Sequence, residues 1–168
     1  MKYKYVSWLP AILIMLMIFY FSSKPATISG ENSLRIANYV MKLYENITDS
    51  VVDEHRIEKL DTLEHYIRKT AHVIEYAILA AAICLPLRLR GLKRRRLLLW
   101  SVLATAIYAA SDEIHQRFVP GRSGRLQDVL IDTLGAILGA IFFLLATGTL
   151  RHIGRDTKES IPDSEESS

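Results

Sequence analysis

Four long apolar segments, separated by charged stretches, dominate this sequence of 168 residues. They occupy positions 6–21, 70–87, 97–111 and 129–150. A helix that crosses about 30 Å of hydrocarbon needs roughly 20 apolar residues, and at least about 17. The second and fourth segments meet this requirement, and the other two meet it together with their flanks. The sequence therefore predicts an all-α, polytopic membrane protein with four transmembrane helices and a partly helical first outer loop.

The charged stretches divide the chain into four regions. Residues 1–22 are predicted to form the first transmembrane helix, and residues 23–69 an extracytoplasmic segment with amphipathic helices. Residues 70–150 are predicted to form a three-helix core. Residues 151–168 are acidic and serine-rich after Asp156, and they are predicted to be a disordered cytoplasmic tail because they lack apolar residues for a core.

The 23–69 segment contains two helix signals. Apolar residues repeat at helical spacing along one side, which favours a helix on the membrane surface or against the bundle. The following Asp61-Thr62 pair is predicted to cap a second helix that continues into the second apolar segment. The apolar side consists of Leu34, Ala37, Met41, Tyr44 and Ile47.

Basic residues determine the predicted orientation. Segment 88–96 contains six Lys or Arg residues among nine and no acid, which is typical of a cytoplasmic loop. Lys2 and Lys4, together with the basic residues after position 150, indicate that both termini are also cytoplasmic. The loops on either side of this basic segment are then extracytoplasmic, and the location is the cytoplasmic membrane.

Several chemistries lack a motif in this sequence. The single cysteine, Cys84, lies within an apolar segment, so a disulfide framework or a cysteine-based zinc site is excluded. Neither a Walker nor a Rossmann glycine pattern is present, and Ser101 and Ser111 lack the context of a nucleophile motif. The basic loop is interpreted as a topology signal, and nucleic acid is not expected as a partner.

Ionisable and polar side chains gather at the predicted outer ends of three transmembrane helices. Such residues are unfavourable in hydrocarbon, and they usually mark function or a buried pair. On the last helix, Asp128 and Asp132 share a face with Gly135 and Gly139, a small-xxx-small pattern that allows close helix packing. The whole set comprises Arg68, His72, Glu75, Asp112, Glu113, His115, Gln116, Arg117, Arg122, Arg125, Asp128 and Asp132.

Two kinds of chemistry fit this set, and both remain open. The candidate acid and base groups are His72, Glu75, Asp112, Glu113, His115 and Asp132. The candidate ligand-binding residues are Arg68, Gln116, Arg117, Arg122 and Asp128. A metal held by His72, Glu75, Asp112 and His115 is an alternative, but no compact metal motif is present and no cofactor is identified. Structural roles also remain open, such as an Arg68–Glu75 ion pair or arginines that contact lipid phosphate.

Three stretches of the sequence resemble the VanZ-like membrane protein family. They are Arg-Lys-Thr-Ala-His-Val-Ile-Glu-Tyr at 68–76, Ser-Asp-Glu-Ile-His-Gln-Arg-Phe-Val-Pro-Gly-Arg at 111–122, and Asp-x-x-x-Asp-x-x-Gly at 128–135. The match covers about residues 66–140, and Phe-Ser-Ser-Lys-Pro at 21–25 is also similar. The family's characteristic polar residues correspond to His72, Glu75, Asp112, Glu113, His115, Gln116, Pro120, Gly121, Arg122, Asp128 and Asp132.

The resemblance implies a bacterial envelope protein whose founding relative is associated with resistance to teicoplanin. We expect the outer polar residues to bind a membrane lipid headgroup or a lipid-linked cell-wall precursor, which would lower susceptibility to lipoglycopeptides. The alternative is an enzyme that modifies a lipid-linked envelope substrate through a His/carboxylate site. A purely structural bundle explains the glycines but not the clustered polar residues. No protein partner is identified.

Overall fold

The structure, a computed structural model, describes residues 3–48 and 56–159, and it describes side chains at 5–47 and 56–148. All regular elements in these ranges are helices, which confirms the predicted all-α class. The helices are α1 (Tyr3–Val6), α2 (Leu9–Ser22), α3 (Ala26–Thr48), α4 (Arg56–Leu89), α5 (Arg94–Gln116) and α6 (Leu126–Glu159).

Three or four membrane spans fit the described helices, where the sequence predicts four. Helices α4, α5 and the 126–148 part of α6 are each long and apolar enough to cross a membrane. Helix α2 has only 14 residues, and it qualifies only as a pair with α3, bent by 101°. The bend follows from Pro25, because the residue before a proline disfavours helical backbone.

Although α2 is short, it connects the two ends of the bundle. Ser22 at its end donates a hydrogen bond to Asp112 on α5 (2.7 Å). The ring of Trp8, just before its start, lies 5.4 Å from the Arg90 guanidinium. We call the end that contains Asp112, His72 and Asp132 the polar end, and the end that contains loop 90–93 the basic end.

The glycine face of α6 packs closely on α4, as its spacing predicts. A Cβ added at Gly135 would overlap the Val73 carbonyl, and one added at Gly139 would overlap the Ala77 carbonyl oxygen. Ala136 is fully buried in the same interface. Helices α4 and α6 both run from the polar end to the basic end, and α5, which lies between them in the sequence, runs in the opposite direction. The apolar parts of α4 and α6 therefore begin beside the end of α5.

Helix α3 packs against the first part of α4 through a side that includes only part of the predicted apolar side. Ser33 donates to Glu64 (2.5 Å), and Glu45 pairs with Arg56 (3.0 Å), while Ala37 is buried between these contacts. Of the other residues predicted to form the apolar side, Met41 is half-buried, and Leu34, Tyr44 and Ile47 are exposed. The hydrogen-bonding and ion-paired side of α3 therefore faces α4, and most of its large apolar residues do not.

Two predicted helix boundaries are wrong. Helix α4 begins at Arg56, so Asp61-Thr62 lies inside it, where the Thr62 hydroxyl donates to the Glu58 carbonyl (2.9 Å). It nevertheless continues into the second apolar segment as predicted. At the other end of the chain, α6 continues to Glu159, so residues 151–159 of the predicted disordered tail are helical. Residues 160–168 lie outside the described part.

Candidate functional site

The polar end brings together side chains from four parts of the chain. They come from the C-terminus of α2, the middle of α4, the last turns of α5 with the loop that follows, and the first turns of α6. Asp112, Glu113, Gln116 and Asp132 are all buried there. The clustering expected from helix direction alone is therefore present in the described residues.

Asp112 is the centre of a hydrogen-bonded group. Its Oδ2 accepts from Ser22 Oγ (2.7 Å), Gln116 Nε2 (2.9 Å) and Tyr76 OH (3.1 Å). The Gln116 amide also donates to Ser22 Oγ (3.3 Å). Three donors satisfy this oxygen of a carboxylate that is only 3% exposed, while Oδ1 is buried without a hydrogen-bond partner among the described residues. This group connects α2, α4 and α5, so Asp112 has a structural role here.

Beside this group lies a cavity of about 210 Å³. Its walls carry both signs of charge, and the loop between α5 and α6 forms part of them. The cationic or imidazole groups in its lining are His65, Arg68, Lys69, His72, Arg122 and Arg125, and the carboxylates are Glu113, Asp128 and Asp132. Of the predicted ligand-binding residues, Arg68, Gln116, Arg122 and Asp128 line this cavity.

His72 and Asp132 face each other across the interior of this cavity. His72 Nδ1 lies 3.8 Å from Asp132 Oδ1, which is too long for a hydrogen bond. Both His72 Nδ1 and Asp132 Oδ2 are buried and lack a hydrogen-bond partner among the described residues. Asp132 is 1% exposed, and the His72 ring is stacked with Tyr76 (6.3 Å between centroids). Buried polar atoms without partners usually have a functional explanation or an unplaced ligand or water.

Two ion pairs form the walls of the cavity. Lys69 on α4 pairs with Asp128 on α6, one helical turn from the His72–Asp132 pair. Arg68 lies 3.6 Å from Glu64, so the alternative in which Arg68 pairs with Glu75 is wrong. Because Glu64 also accepts from Ser33, Arg68 is connected to α3.

Glu113 fixes the loop that closes the cavity. Its Oε2 accepts from the Arg125 backbone N–H (2.8 Å), just before α6 begins. A Cβ at Gly124 would overlap the Glu113 carbonyl oxygen, so the loop can approach α5 only with glycine at this position. The Arg125 side chain is exposed and lines the cavity.

Arg122 holds the corner between α2 and α3. It follows Gly121, whose φ of 75° suits the predicted tight turn at 119–122, and the Arg122 N–H closes that turn on Val119 O (3.1 Å). The guanidinium donates to the carbonyls of Lys24 (3.0 Å) and Phe21 (3.1 Å), an arrangement that stabilises the C-terminus of α2. Burial lowers the pKa of the Arg122 guanidinium from its ordinary value, but the group remains a cation.

Four predicted site residues do not line this cavity: Asp112, which belongs to the hydrogen-bonded group beside it, and His115, Arg117 and Glu75. His115 Nε2 lies 3.1 Å from Ser23 Oγ, and it is the donor because Ser23 already donates to Phe19 O (2.7 Å). Arg117 is exposed outside the cavity lining. Glu75 lines a neighbouring groove of about 240 Å³ between α2, α3 and α4.

The predicted metal ligands are not brought together. Within the described residues, no group of three or more His, Cys, Asp or Glu side chains is arranged to hold a metal ion. Asp112 uses one oxygen for three donors, His115 bonds to Ser23, and Glu75 belongs to the other groove. The cavity is therefore best described by its charged and hydrogen-bonding side chains.

Sequence reasoning did not place three contributors among the candidate site residues. Ser22 and Tyr76 complete the Asp112 group, and Lys69 pairs with Asp128. The sequence does contain a signal for Lys69. Lys69 and His72 are three residues apart and share a helix face, and Asp128 and Asp132, four residues apart, share a face of another helix. Ser22 had no such signal because it is 90 residues from Asp112.

These observations define a helical membrane protein with a charged cavity at one end of its bundle. A family model described as VanZ/LLP1 matches residues 7–147. The chain therefore belongs to the VanZ-like family, as its three sequence stretches predict. No curated protein and no solved structure matches the chain.

Proposed function

We propose that the charged cavity binds the polar headgroup of a membrane lipid or of a lipid-linked cell-wall precursor, at the outer face of the bacterial cytoplasmic membrane. The observation that carries the proposal is the pair of buried, unpartnered atoms, His72 Nδ1 and Asp132 Oδ2, inside a cavity lined by several cations. A ligand that hydrogen-bonds to both atoms would satisfy two buried polar groups that have no partner among the described residues.

The charges in the lining favour a headgroup that contains phosphate. The Arg125 side chain lines the cavity without a carboxylate partner among the described residues, so it is free to bind a phosphate oxygen. Lys69 and Arg68 add positive potential, although each already pairs with an acid. Asp132 would accept from a hydroxyl or amine of the same headgroup.

The neighbouring groove supports a ligand that also carries a hydrocarbon chain. It shares Ser29, Arg68, His72 and Arg122 with the cavity, so the two spaces adjoin at the polar end. Its remaining lining includes Phe21, Ile28, Ile36, Ile67 and Ala71. A headgroup in the polar cavity would therefore have its chain beside an apolar surface between α2, α3 and α4.

A membrane lipid or a lipid-linked cell-wall precursor bound in this cavity would change how easily lipid-bearing glycopeptides such as teicoplanin reach the cell-wall precursors. The test compares Arg125→Gln with Arg117→Gln in a teicoplanin-susceptible bacterium. Both substitutions remove one exposed arginine from the same loop region, but only Arg125 lines the cavity. Protein level in the membrane and teicoplanin susceptibility are measured together.

We expect the wild-type chain and Arg117→Gln to lower susceptibility equally. Arg125→Gln should accumulate normally and return susceptibility toward that of cells without the chain. Equal effects of the two variants, at equal protein levels, would sink the proposal of a cavity-bound ligand.

An enzyme acting on a lipid-linked substrate is the second candidate, and the His72–Asp132 pair favours it. An imidazole and a carboxylate 3.8 Å apart in a buried position can exchange a proton with a ligand that contacts both from the cavity. The discriminating measurement compares the envelope lipids of cells that express the wild type with those of cells that express His72→Gln. A new lipid species that requires His72 supports the enzyme, and identical lipids in both cultures exclude it.

A further inference from the structure

A second cavity lies at the basic end, away from the site described above. It has a volume of about 470 Å³ and is formed where loop 90–93 meets the ends of α4 and α6 and the start of α5. Arg88, Lys93 and Arg94 line it, and Gly148 of α6 forms part of the wall. None of these residues takes part in the proposed function.

The cations of this cavity have no described counter-charge. No described carboxylate lies within ion-pair distance of Arg88, Lys93 or Arg94. The reason is visible in the sequence, because 76–111 and 133–148 contain no acid at all. Cations that line one cavity repel one another, and a bound anion would relieve that repulsion.

Not every basic residue of the loop belongs to the cavity. Arg90 is directed to the Trp8 ring at the start of α2, while Arg95 and Arg96, which are exposed like Lys93 and Arg94, do not line the cavity. Arg88 is held by the Phe143 ring, 5.8 Å from its guanidinium carbon. Three of the six cations in 88–96 therefore line the cavity.

The remaining lining is apolar. Leu92, Leu97 and Leu144 line the cavity opposite the charged groups, and Leu97 is almost fully buried. A ligand that suits both the cationic side and the leucine side of the cavity carries a phosphate next to apolar carbon atoms. A volume of this size is within the range of small-molecule sites, which is roughly 300–1,000 Å³.

We propose that this cavity binds the phosphate headgroup of an anionic glycerophospholipid in the leaflet opposite the charged cavity. Basic pockets between membrane helices are suited to such headgroups. The start of α5 adds its partial positive charge at the same place. Arg88, Lys93 and Arg94 would contact the phosphate, and the three leucines would contact the glycerol and the first carbons of the chains.

The experiment uses two variants that lose the same charge at neighbouring positions. One carries Lys93→Gln and Arg94→Gln, which remove cavity cations, and the other carries Arg95→Gln and Arg96→Gln. The full chain in a neutral detergent is titrated with phosphatidylglycerol, with phosphatidylcholine or with inorganic phosphate, and bound ligand is counted by native mass spectrometry. A third variant, Gly148→Leu, fills the cavity without removing a charge, since the first added carbon meets only Arg94 Nη2 at 3.9 Å.

We expect phosphatidylglycerol to bind the wild type and the Arg95/Arg96 variant about equally. The Lys93/Arg94 variant and Gly148→Leu should each weaken that binding about tenfold. Equal weakening by the two charge variants would overturn the proposal, because it would indicate diffuse attraction. Equal affinity for phosphatidylcholine, or displacement of the lipid by inorganic phosphate at similar concentration, would also overturn the lipid assignment.

The acidic sequence at 160–168 is the competing occupant within the chain itself. It contains Asp163, Glu165 and Glu166. A chain that ends at Glu159 tests this possibility in the same titration. If the shortened chain binds phosphatidylglycerol and the full chain does not, the tail occupies the cavity and the proposal is wrong. Equal binding by the two chains supports it.

Discussion

Asp112 and Asp132 are both buried carboxylates at the polar end, but their surroundings differ. Asp112 Oδ2 accepts three hydrogen bonds from three parts of the chain. Asp132 makes no hydrogen bond through Oδ2 among the described residues, and only a long approach to His72 through Oδ1. Asp112 Oδ1 is also buried without a partner, but of the two residues only Asp132 lines the cavity. At the scale of single residues, Asp112 therefore holds helices together through Oδ2, and Asp132 is available to a ligand in the cavity.

Alanine substitutions should separate these two roles. Asp112→Ala leaves the donors of Ser22, Tyr76 and Gln116 without their acceptor, and we expect it to lower the free energy of unfolding by about 2 kcal/mol. Asp132→Ala removes a buried carboxyl group that accepts no hydrogen bond among the described residues, so the loss should be under about 1 kcal/mol. Denaturant unfolding of both variants in the same detergent is the measurement. A larger loss for Asp132→Ala would contradict these assignments.

Individual side-chain partners were the part least accessible from the sequence. The expected gathering of His72, Asp132 and Asp112 follows from helix direction alone, since the polar residues lie where the apolar parts of two helices begin and where the third helix ends. Their contacts depend on helix rotation and on partners far along the chain, such as Ser22 for Asp112. Arg68 is an example, because Glu64 and Glu75 are both close to it in sequence and either could be its partner. In the structure Arg68 lies near Glu64, which also accepts a hydrogen bond from Ser33 on α3.

At the scale of helices, the α4–α6 interface is the contact that the sequence predicts best. The glycines at 135 and 139 were recognised from their spacing, and both lie against carbonyl groups of α4. The corner between α2 and α3 was less predictable. Pro25 indicates an interruption, but the 101° bend also depends on Arg122, which donates to carbonyls about a hundred residues earlier.

A single added methyl group should disrupt the α4–α6 interface. Gly139→Ala forces the new Cβ against the Ala77 carbonyl, so α6 must move away from α4, and we expect a loss of about 2 kcal/mol in the free energy of unfolding. Gly148→Ala is the matched control on the same helix, because its Cβ has ordinary contact only. Thermal unfolding in detergent measures both, and comparable stability of the two variants would refute the close packing.

At the scale of the whole molecule, the separation of charge is the main feature. Every carboxylate among the side chains described, at 5–47 and 56–148, lies in α3, in α4 up to Glu75, in the last turns of α5 or in the first turns of α6. Along α5, Asp112 and Arg94 are separated by about 27 Å at the usual helical rise. That distance is close to the roughly 30 Å of a bilayer's hydrocarbon. The polar end and the basic end therefore suit the two faces of a membrane.

The predicted orientation can be tested by labelling each end. In a chain with Cys84→Ala, single cysteines are introduced as Ser123→Cys at the polar end and Arg95→Cys at the basic end, both at exposed positions. Because basic loops stay in the cytoplasm, a membrane-impermeant maleimide should label position 123 in intact cells. Position 95 should react only after permeabilisation. Labelling of position 95 in intact cells would show the opposite orientation and contradict the prediction.

The lipid that remains bound to the purified chain tests the central claim, a ligand site in the charged cavity, most directly. All chains carry Lys93→Gln and Arg94→Gln, so that the cavity at the basic end contributes little. Within that background, His72→Gln with Asp132→Asn alters the interior of the charged cavity, and His115→Gln alters a histidine outside its lining. Bound lipid is extracted and quantified by headgroup. We expect the background chain and His115→Gln to retain the same headgroup, and the His72/Asp132 variant to lose most of it. Equal retention by all three chains would contradict a ligand site in this cavity.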